Sequence, residues 1–574
     1  MKYLDLLKAN KLLKSELQTP IYSINIVANI TVNQIKEVFE YGLRKQGINA
    51  EVNVANYDNI LQESQHCSAY QLVCVFWELC NISDGFHYKV EQLNSAEFEE
   101  LIEKTQMELA FLMKNLHAVP LVLFNEFSGK HFSNSALKKS RLETLADILN
   151  SYIKQFKPQN WQLVQLGSLI SKTETDVHWP YYYQNKSLYT LEFFYEYCRR
   201  VMPAVLSVTG RSKKIIVFDC DNTLWKGVVG EEGIEMSART SQGGIFAEIQ
   251  SMALQLNKAG VLLGLCSKNN PQDVEQILNH HEDMQVKNRH ICLKKINWSD
   301  KASNLRAMAA ELNIGLDSFV FVDDSPFEIN LVKSQLPEIT TVLVPENIYH
   351  YPAVIREILP LFYQFSQTDE DSNKTQMYQQ QLLRSSKKSE FKTLEQYLAS
   401  LALCIDISIN ETSSVARVAQ LTQKTNQFNL TTKRYTENEI TQYMSDKSVM
   451  VVSVTVKDTY GDSGLTAVVI VKCDQARQSA MIDSFLLSCR IIGRNIEHVL
   501  LDYIVEKLKK RGVKSIQAQY CKTAKNKQVS QFYSKRGFKE LDEPAELTEK
   551  LKVYRISSEN YKASTINYIQ INET

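Results

Sequence analysis

The chain has 574 residues, which is too long for one hydrophobic core and indicates three to four domains. Its 65 lysines and arginines balance its 65 aspartates and glutamates, so no overall charge favours nucleic acid or an anionic membrane as a partner. The 11 cysteines form no CxxC pair, and no apolar run approaches the roughly 20 residues that span a bilayer. We therefore expect a soluble, cytoplasmic protein with no nucleic-acid partner and no membrane insertion.

The first part of the chain, residues 1–210, alternates strand-like and helical patterns. Apolar runs occur at 21–30, 48–56, 70–79 and 119–126, and helical patterns occur at 33–47, 96–116 and 138–156. Such alternation predicts a parallel β-sheet that is covered by helices on both faces. We expect this region to be an α/β domain.

Two further domains are predicted after it. A second α/β domain over residues 211–365 is indicated by three strand-like runs, KKIIVFD (213–219), VLLGLCS (261–267) and SFVFVDD (318–324). Residues 366–400 open with a polar stretch and are predicted to be a linker. Residues 401–574 contain strand-like runs that are close enough for an antiparallel meander, followed by a helix, a strand and a short helix. That pattern predicts an α+β domain.

Polar side chains follow each of the three predicted strands of the second domain, namely Asp219 and Asp221, then Ser267, then Asp323 and Asp324. The carboxyl ends of parallel strands lie at one edge of a sheet, where ligands of open α/β sheets bind. Lys301, at the start of a predicted helix, supplies a cation that can reach the same crevice. The alternative is structural, because aspartate and serine also favour turns and helix caps; Ser267 and Asp324 are the candidates for caps.

These residues suit phosphoryl transfer assisted by Mg²⁺, in which carboxylates hold the metal while metal and lysine neutralise oxygen charge. The predicted metal ligands are Asp219, Asp221, Asp323 and Asp324. Asp219 is the predicted nucleophile, which forms an aspartyl-phosphate. Asp221 is predicted to protonate the leaving group and then to activate water.

The motif DCDNT, the strand-ending Ser267, Lys301 and the Asp323/Asp324 pair resemble, in order, the four motifs of the haloacid dehalogenase (HAD) superfamily. The resemblance implies a Rossmann-like parallel sheet, with Thr223, Ser267 and Lys301 binding the phosphoryl group. Between these motifs the chain leaves no room for a large cap domain. We therefore expect an open site that accepts a bulky or macromolecular substrate or borrows its lid from a neighbouring domain.

Longer strings resemble the FkbH-like proteins of HAD subfamily IIIC over about residues 170–560: DNTLWKGVVGEEG, CSKNN, NWSDKASNLRAMAAELNIGLDSFVFVDDSPFE and LTQKTNQFNLTTKRYT. The N-terminal region is similar to their SGNH-hydrolase-like leader. Where the serine nucleophile of that fold belongs, this chain reads VANITVN. The resemblance therefore implies a leader without serine hydrolase activity, which acts in binding or capping.

The C-terminal region resembles a GNAT acyltransferase. CRIIGRN (489–495) is similar to the R-x-x-G-x-G/A loop that binds the pyrophosphate of an acyl carrier, which implies roles for Arg490, Gly493 and Arg494. Asn495 departs from the pattern at its last position. The ligand implied is coenzyme A or a phosphopantetheine thioester, and the alternative is a GNAT-shaped scaffold without acetyl-CoA chemistry.

The FkbH resemblance implies capture of a phosphorylated glyceryl unit as a thioester, removal of its phosphate at the HAD site and transfer to an acyl carrier protein. The thiol candidates are Cys266 and Cys489, while Cys220 faces away along its strand; the alternative is that all three are small buried apolar residues. Two other functions remain open. One is a phosphatase fused to an acyltransferase that acts on a sugar or surface-polysaccharide precursor, and the other is a non-enzymatic module that docks a carrier protein.

Overall fold

The protein is described here by a computed structural model, which covers residues 3–17, 19–132, 138–166, 177–231, 233–365, 373–523, 525–541 and 551–573. Its contacts divide the chain into two compact units. The first comprises Met1–Val208 with Thr436–Glu439, and the second comprises Thr209–Tyr435 with Ile440–Thr574. The second and third predicted domains therefore lie in the same compact unit.

The first unit is built on a five-stranded parallel sheet of order β2-β1-β3-β4-β5. Its strands are β1 (Tyr22–Ala28), β2 (Ala50–Val54), β3 (Leu72–Phe76), β4 (Leu121–Asn125) and β5 (Trp161–Val164). Its helices are α1 (Tyr3–Glu16), α2 (Ile35–Lys45), α3 (Ile60–Ser64), α4 (Phe86–Lys89), α5 (Ser95–Asn115), α6 (Arg141–Phe156), α7 (Trp179–Asn185) and α8 (Leu191–Val208). Every residue of β3 and β4 is buried, as expected for strands covered on both faces.

The end of β1, where the sequence lacks a serine, is occupied by a buried asparagine. Asn29 donates from Nδ2 to the carbonyl oxygens of Glu78 (2.9 Å) and Asn81 (3.1 Å) and accepts the Glu78 backbone N–H at 2.7 Å. Asn29 thus joins the end of β1 to the segment after β3. The side chain at this position serves in structural hydrogen bonds, and the SGNH-like origin of the unit stays a prediction.

The second unit contains a second sheet of five parallel strands, in the order β10-β9-β6-β7-β8. Its strands are β6 (Ile215–Phe218), β7 (Leu262–Ser267), β8 (Ile291–Ile296), β9 (Phe319–Asp323) and β10 (Thr340–Leu343). The helices of this part are α9 (Ser241–Lys258), α10 (Pro271–His280), α11 (Lys301–Leu312), α12 (Pro326–Gln335) and α13 (Tyr351–Ile358). The strand order places β6 in the centre, so its C-terminal end lies between those of β7 and β9.

The connections around this centre are short. Between β6 and β7 lie a flap, joined by an antiparallel bridge between Lys226 and Glu235, and α9. Between Lys301 and β9 lie only α11 and one short 3₁₀ turn. Neither connection carries a further sheet within the described residues, so the C-terminal edge is not covered by a large inserted cap there.

The second unit also contains a third, mostly antiparallel sheet of nine strands, whose path runs β17-β18-β16-β15-β14-β13-β11-β19 with β12 paired to β15. Its strands are β11 (Cys404–Ile409), β12 (Phe428–Asn429), β13 (Val449–Asp458), β14 (Gly461–Asp474), β15 (Ser479–Leu487), β16 (Ser515–Cys521), β17 (Lys539–Glu540), β18 (Leu551–Ser557) and β19 (Gln570–Glu573). The remaining helices are α14 (Lys374–Lys387), α15 (Leu394–Ser400), α16 (Val415–Lys424), α17 (Glu437–Ser445), α18 (Ile496–Lys510) and α19 (Phe532–Lys535). The chain is therefore a mixed α/β protein with two parallel sheets and one mostly antiparallel sheet.

Helices α14 and α15 lie within the predicted linker, whose residues 366–372 lie outside the described residues. Arg384 of α14 donates from Nη2 to Oδ1 of Asp458 (3.0 Å), and Arg494 donates to Oδ2 of the same carboxylate (2.9 Å). All three side chains are buried. This network, Arg384–Asp458–Arg494, ties α14 to the third sheet. Among the described residues, no helix is both long enough and apolar enough to cross a bilayer.

Candidate active site

Asp219 is the first residue after β6, and its backbone N–H donates to the Val322 carbonyl at 2.9 Å, which continues the pairing of β6 with β9. The residue is 5 % exposed. Burial raises the pKa of Asp219 to about 6, although the charge of Lys301 opposes the shift. A carboxylate in this position is largely shielded from solvent and lies at the C-terminal edge of the sheet, which is a suitable position for a nucleophile.

Lys301 is the first residue of α11, and the Asp300 side chain caps that helix by accepting the Ser303 N–H at 2.8 Å. The lysine ammonium lies 2.9 Å from Oδ1 of Asp219 and 2.6 Å from Oδ2 of Asp323. Burial alone lowers the pKa of Lys301, but the charges of Asp219 and Asp323 outweigh burial and raise it above its usual range. The lysine is therefore a permanent cation between two aspartates.

Three carboxylates, those of Asp219, Asp323 and Asp324, each place an oxygen within 4.8 Å of the others. Burial raises the pKa of all three, and the charge of Asp219 adds to the shift at Asp324. Clustered carboxylate oxygens are the donor set that Mg²⁺ prefers, and a divalent cation relieves their mutual repulsion. The residues present therefore fit a magnesium ion.

Asp221, which the sequence analysis included among the metal ligands, lies outside this group, because its carboxylate oxygens are engaged elsewhere. Oδ1 accepts from Nε1 of Trp225 (2.9 Å) and from the Val229 backbone N–H (3.3 Å), and Oδ2 accepts from Nδ2 of Asn269 (2.8 Å). These contacts hold the carboxyl group beside the flap. That placement suits its predicted role as an acid and base better than a role in metal binding.

Ser267 and Thr223, the other predicted phosphate ligands, are both buried. Ser267 ends β7, and its side chain opposes the rise that burial causes in the pKa of Asp219. The Thr223 hydroxyl is buried and has no hydrogen-bond partner among the described residues. An unsatisfied buried hydroxyl costs free energy, which a phosphoryl oxygen within reach would recover.

Two residues of the site were not assigned a role from the sequence. Asn269 holds Asp221, as described above. Asn222 adopts the left-handed conformation at φ 51°, and its Oδ1 accepts the Gly227 N–H at 2.9 Å, so it shapes the flap. Asparagine tolerates this conformation better than most residues, and an asparagine directly after Asp221 is the signal that could have indicated a tight turn there.

The structure separates the thiol candidates. Cys266 and Cys220 are fully buried. Burial raises the pKa of Cys266 to about 12 and that of Cys220 well above its ordinary range. The thiolate is the reactive form of cysteine, so these two are poor nucleophiles and behave as apolar core residues. Only Cys489, which is partly exposed, remains as a candidate for acylation.

The arginines of the predicted pyrophosphate loop are not exposed to solvent. Arg490 and Arg494 are buried, and Arg494 belongs to the Arg384–Asp458–Arg494 network. Asn495, the position that departs from the family pattern, lies at φ 64°, which explains why glycine or asparagine fits there. At Gly493 an added Cβ meets open space, so the loop has room on that side. Its role in binding an acyl carrier stays a prediction.

One solved structure, the N-terminal part of BF1531 from Bacteroides fragilis containing a phosphatase domain complexed with Mg, aligns with a TM-score of 0.54 at 22% identity, over 64% of this chain and 100% of that chain. This likeness supports a common fold. The ribosomal-protein-S18-alanine N-acetyltransferase of Escherichia coli also aligns, at 15% identity and a TM-score of 0.22, over 29% of this chain and 99% of that chain. A mutant of the spermidine N-acetyltransferase SpeG of Vibrio cholerae aligns at 14% identity and a TM-score of 0.22, over 27% of this chain and 95% of that chain. We draw no functional conclusion from scores this low. No family model and no curated protein matches the sequence.

Proposed function

We propose that this protein is a Mg²⁺-dependent phosphatase of the HAD type that acts through an aspartyl-phosphate. The observation that carries the proposal is the grouping of three carboxylates and one buried lysine at the C-terminal end of β6, next to the buried Ser267. Asp219, Asp323 and Asp324 are the residues that would hold the ion. Bound Mg²⁺ supplies charge neutralisation at the phosphoryl oxygens.

The residues of the chain then divide the reaction between them. A carboxylate oxygen of Asp219 attacks phosphorus, so that an O–P bond forms as the bond to the leaving oxygen breaks. Asp221 donates its proton to that oxygen and afterwards takes a proton from the water that hydrolyses the aspartyl-phosphate. Lys301 stabilises the charge that develops on the phosphoryl oxygens. Two steps replace one difficult hydrolysis.

For the substrate we propose a phosphorylated glyceryl unit that is captured as a thioester, loses its phosphate at this site and is then passed to an acyl carrier protein. The short connections around the C-terminal edge of the second sheet support a macromolecular substrate, because they leave that edge open. The burial of Cys266 and Cys220 argues that neither cysteine holds the acyl group while phosphate is removed. The third predicted domain is proposed to handle the acyl group.

The test is a phosphate-release assay with the full-length protein and Mg²⁺, using a phosphoglyceryl carrier-protein thioester and a panel of sugar phosphates. We expect turnover of the thioester, loss of turnover in Asp219→Asn, and unchanged turnover in the exposed control Asp283→Asn. Turnover confined to sugar phosphates would replace the glyceryl substrate by a polysaccharide precursor. No turnover of any ester by folded protein would leave the docking module as the function.

A further inference from the structure

Exposed aromatic residues surround the candidate active site. Among the described residues, Trp298 is the most exposed aromatic residue, at 76 %, and Phe327 follows at 69 %. Tyr349 is 62 % exposed. Single apolar residues are ordinary on a protein surface, but large aromatic residues grouped around one site are typical of an interaction surface.

The three residues follow three strands of the second sheet, at the edge that holds the aspartates. Trp298 follows β8, Phe327 follows β9 and Tyr349 follows β10. In the strand order β10-β9-β6-β7-β8, the strand that leads to Asp219 lies between them. Neighbouring strands are about 4.8 Å apart, so the ends of β8 and β10 are separated by roughly 19 Å. Aromatic residues therefore stand on both sides of Asp219.

Backbone contacts fix Trp298 beside the site. The preceding residue, Asn297, donates its backbone N–H to the Ser267 carbonyl at 3.1 Å. Lys301, at the start of α11, follows closely in the chain, and its ammonium lies 2.9 Å from Oδ1 of Asp219. Trp298 is thus held in the chain between two residues that contact the site, while most of its own surface remains open to solvent.

Phe327 and Tyr349 are fixed in a similar way on the other side. Ser325, on the turn that leads to Phe327, donates its backbone N–H to Oδ1 of Asp323 at 2.8 Å. Tyr351 begins α13 just after Tyr349, and its buried hydroxyl donates to a carbonyl oxygen of the DCDNT motif at 3.2 Å. Both exposed rings are therefore attached to backbone that is anchored at the site.

The area of this aromatic surface fits a transient protein partner. A large aromatic side chain buries about 150–250 Å² in a contact, so the three exposed residues together offer roughly 400 Å². A patch of this size on a monomer is often functional, but it is only about half of the roughly 800 Å² that each partner contributes to a stable complex. The area favours a partner that docks and leaves over a permanent dimer.

Charge and span argue against the other occupants. The segments that carry the aromatic residues are NWSD (297–300), DSPFE (324–328) and VPENIYH (344–350), which contain four carboxylates and no lysine or arginine. Loops that bind anionic membranes combine aromatic with basic residues, so this surface is not suited to such a membrane. A three-carbon phosphate ester is too short to contact both sides of Asp219 at once. A folded protein can contact both.

We propose that Trp298, Phe327 and Tyr349 form a docking rim for a protein that presents the phosphorylated group to Asp219 on a flexible arm. The rim binds an apolar surface of that protein, and the arm passes between the two sides of the rim. This inference rests on the proposed phosphatase function and names the kind of partner that its site accepts. Binding energy gained at the rim distinguishes a protein-borne substrate from a free phosphate ester.

The first experiment compares two substrates of the full-length protein in MgCl₂, a phosphoglyceryl carrier-protein thioester and free glycerol 3-phosphate. The measured quantity is the ratio of their kcat/KM values. We expect the double variant Trp298→Ala/Phe327→Ala to lower this ratio at least tenfold, chiefly through the KM of the protein-borne substrate, because aromatic residues dominate the energy of protein contacts.

The matched control is Phe156→Ala, which truncates an exposed aromatic residue at the end of α6 in the first unit and should keep the wild-type ratio. A general disturbance of the aspartates affects both substrates and cancels from the ratio. A double variant with the wild-type ratio overturns the proposal.

A binding measurement separates this inference from the phosphatase function. Fluorescence anisotropy follows a labelled phosphoglyceryl carrier protein as it is titrated with Asp219→Asn protein, so no phosphate release is needed. We expect saturable binding that the rim substitutions weaken at least tenfold and that Phe156→Ala does not weaken. This pattern without turnover of any ester refutes the phosphatase function and supports the rim. Turnover without carrier binding, or with binding that the rim substitutions do not change, overturns the rim.

Two further measurements test the other occupants. Co-sedimentation with phosphatidylserine–phosphatidylcholine vesicles tests a lipid surface, and sedimentation velocity over a range of protein concentrations tests a second copy of this chain. Vesicle binding or dimerisation that the rim substitutions remove, together with carrier binding that they do not change, overturns the proposal in favour of that occupant. Circular dichroism shows whether each variant has folded, and the single substitutions replace the double variant if it has not.

Discussion

Replacing Lys301 by methionine tests how the candidate site balances its charges. Methionine keeps most of the apolar stem of lysine but removes the ammonium that lies 2.9 Å from Asp219 and 2.6 Å from Asp323. Without a metal ion, the variant leaves these buried carboxylates with no cation between them. Removing one partner of a buried ion pair costs about 3–5 kcal/mol.

That cost corresponds to a measurable shift in melting temperature. The second unit has roughly 360 residues, and unfolding entropy is about 2.1 cal/mol/K per residue, so about 0.75 kcal/mol corresponds to one degree. We therefore expect Lys301→Met to lower the Tm of this unit by about 4–7 °C in EDTA. Mg²⁺ can replace the missing cation, so most of this loss should disappear in saturating MgCl₂.

Activity should behave differently from stability. A bound Mg²⁺ restores the balance of charge among the aspartates, but it does not restore the donor that Lys301 offers to the phosphoryl oxygens. We expect phosphate release to remain about 10²- to 10³-fold below wild type in MgCl₂, the scale for losing one electrostatic stabiliser. Scanning calorimetry with and without Mg²⁺ and a phosphate-release assay measure the two effects.

A matched control is Lys295→Met, which removes a lysine of β8 that pairs with Glu311 near the surface. Exposed pairs are worth only about 0–1 kcal/mol, so its Tm should hardly change in either buffer. Equal losses of Tm with and without Mg²⁺ in Lys301→Met would refute the idea that the lysine balances the carboxylates. Wild-type turnover in that variant would refute its contact with the phosphoryl group.

The sequence predicted the centre of the second sheet because its strands are covered on both faces. Such strands read as continuous apolar runs, and the runs at 213–219, 261–267 and 318–324 correspond to β6, β7 and β9. Polar residues at the ends of these runs could then be placed at one edge, where the structure brings Asp219, Lys301 and Asp323 into contact.

Elements stabilised by polar contacts could not be predicted in this way. Strand β8 carries Lys294 and Lys295, whose ion pairs with Glu275 and Glu311 replace an apolar pattern. Helix α14 is mostly polar; it is anchored by Tyr378 and Leu382, which pack against one hydrophobic cluster, and by the Arg384–Asp458–Arg494 network. Partners so distant in sequence leave no local signal.

Burial was the other property that the sequence did not reveal. Cys266 and Cys489 both follow apolar runs and were equal candidates for the thiol. The structure buries Cys266 in the core beneath α11 and leaves Cys489 partly exposed.

Three further predictions concern other charged groups. Asp221→Asn should lower turnover of an alkyl phosphate about 10²- to 10⁴-fold but should affect turnover of p-nitrophenyl phosphate little, because only the alkoxide leaving group needs a proton. Equal losses for both substrates would contradict the role of Asp221 as the acid. Glu78 accepts a hydrogen bond from Tyr189 at 2.8 Å, and burial raises its pKa to about 7 from 4.5, so the folded state binds more protons than the unfolded state between these values. The stability of the first unit should therefore fall by about 3 kcal/mol as pH rises from 4.5 through 7. Calorimetric scans at pH 5 and 8 measure this fall. The variant Glu78→Gln should remove it, whereas the exposed control Glu100→Gln should retain it. Asp458→Asn leaves two buried guanidinium groups without a counter-charge, and burial already lowers the pKa of one of them, Arg494, to about 10. We expect urea denaturation to show a loss of about 3–5 kcal/mol in the unfolding free energy of the second unit. We also expect faster proteolysis of α14, because Asp458 joins that helix to the third sheet. A variant as stable as wild type would mean that other groups neutralise the two arginines.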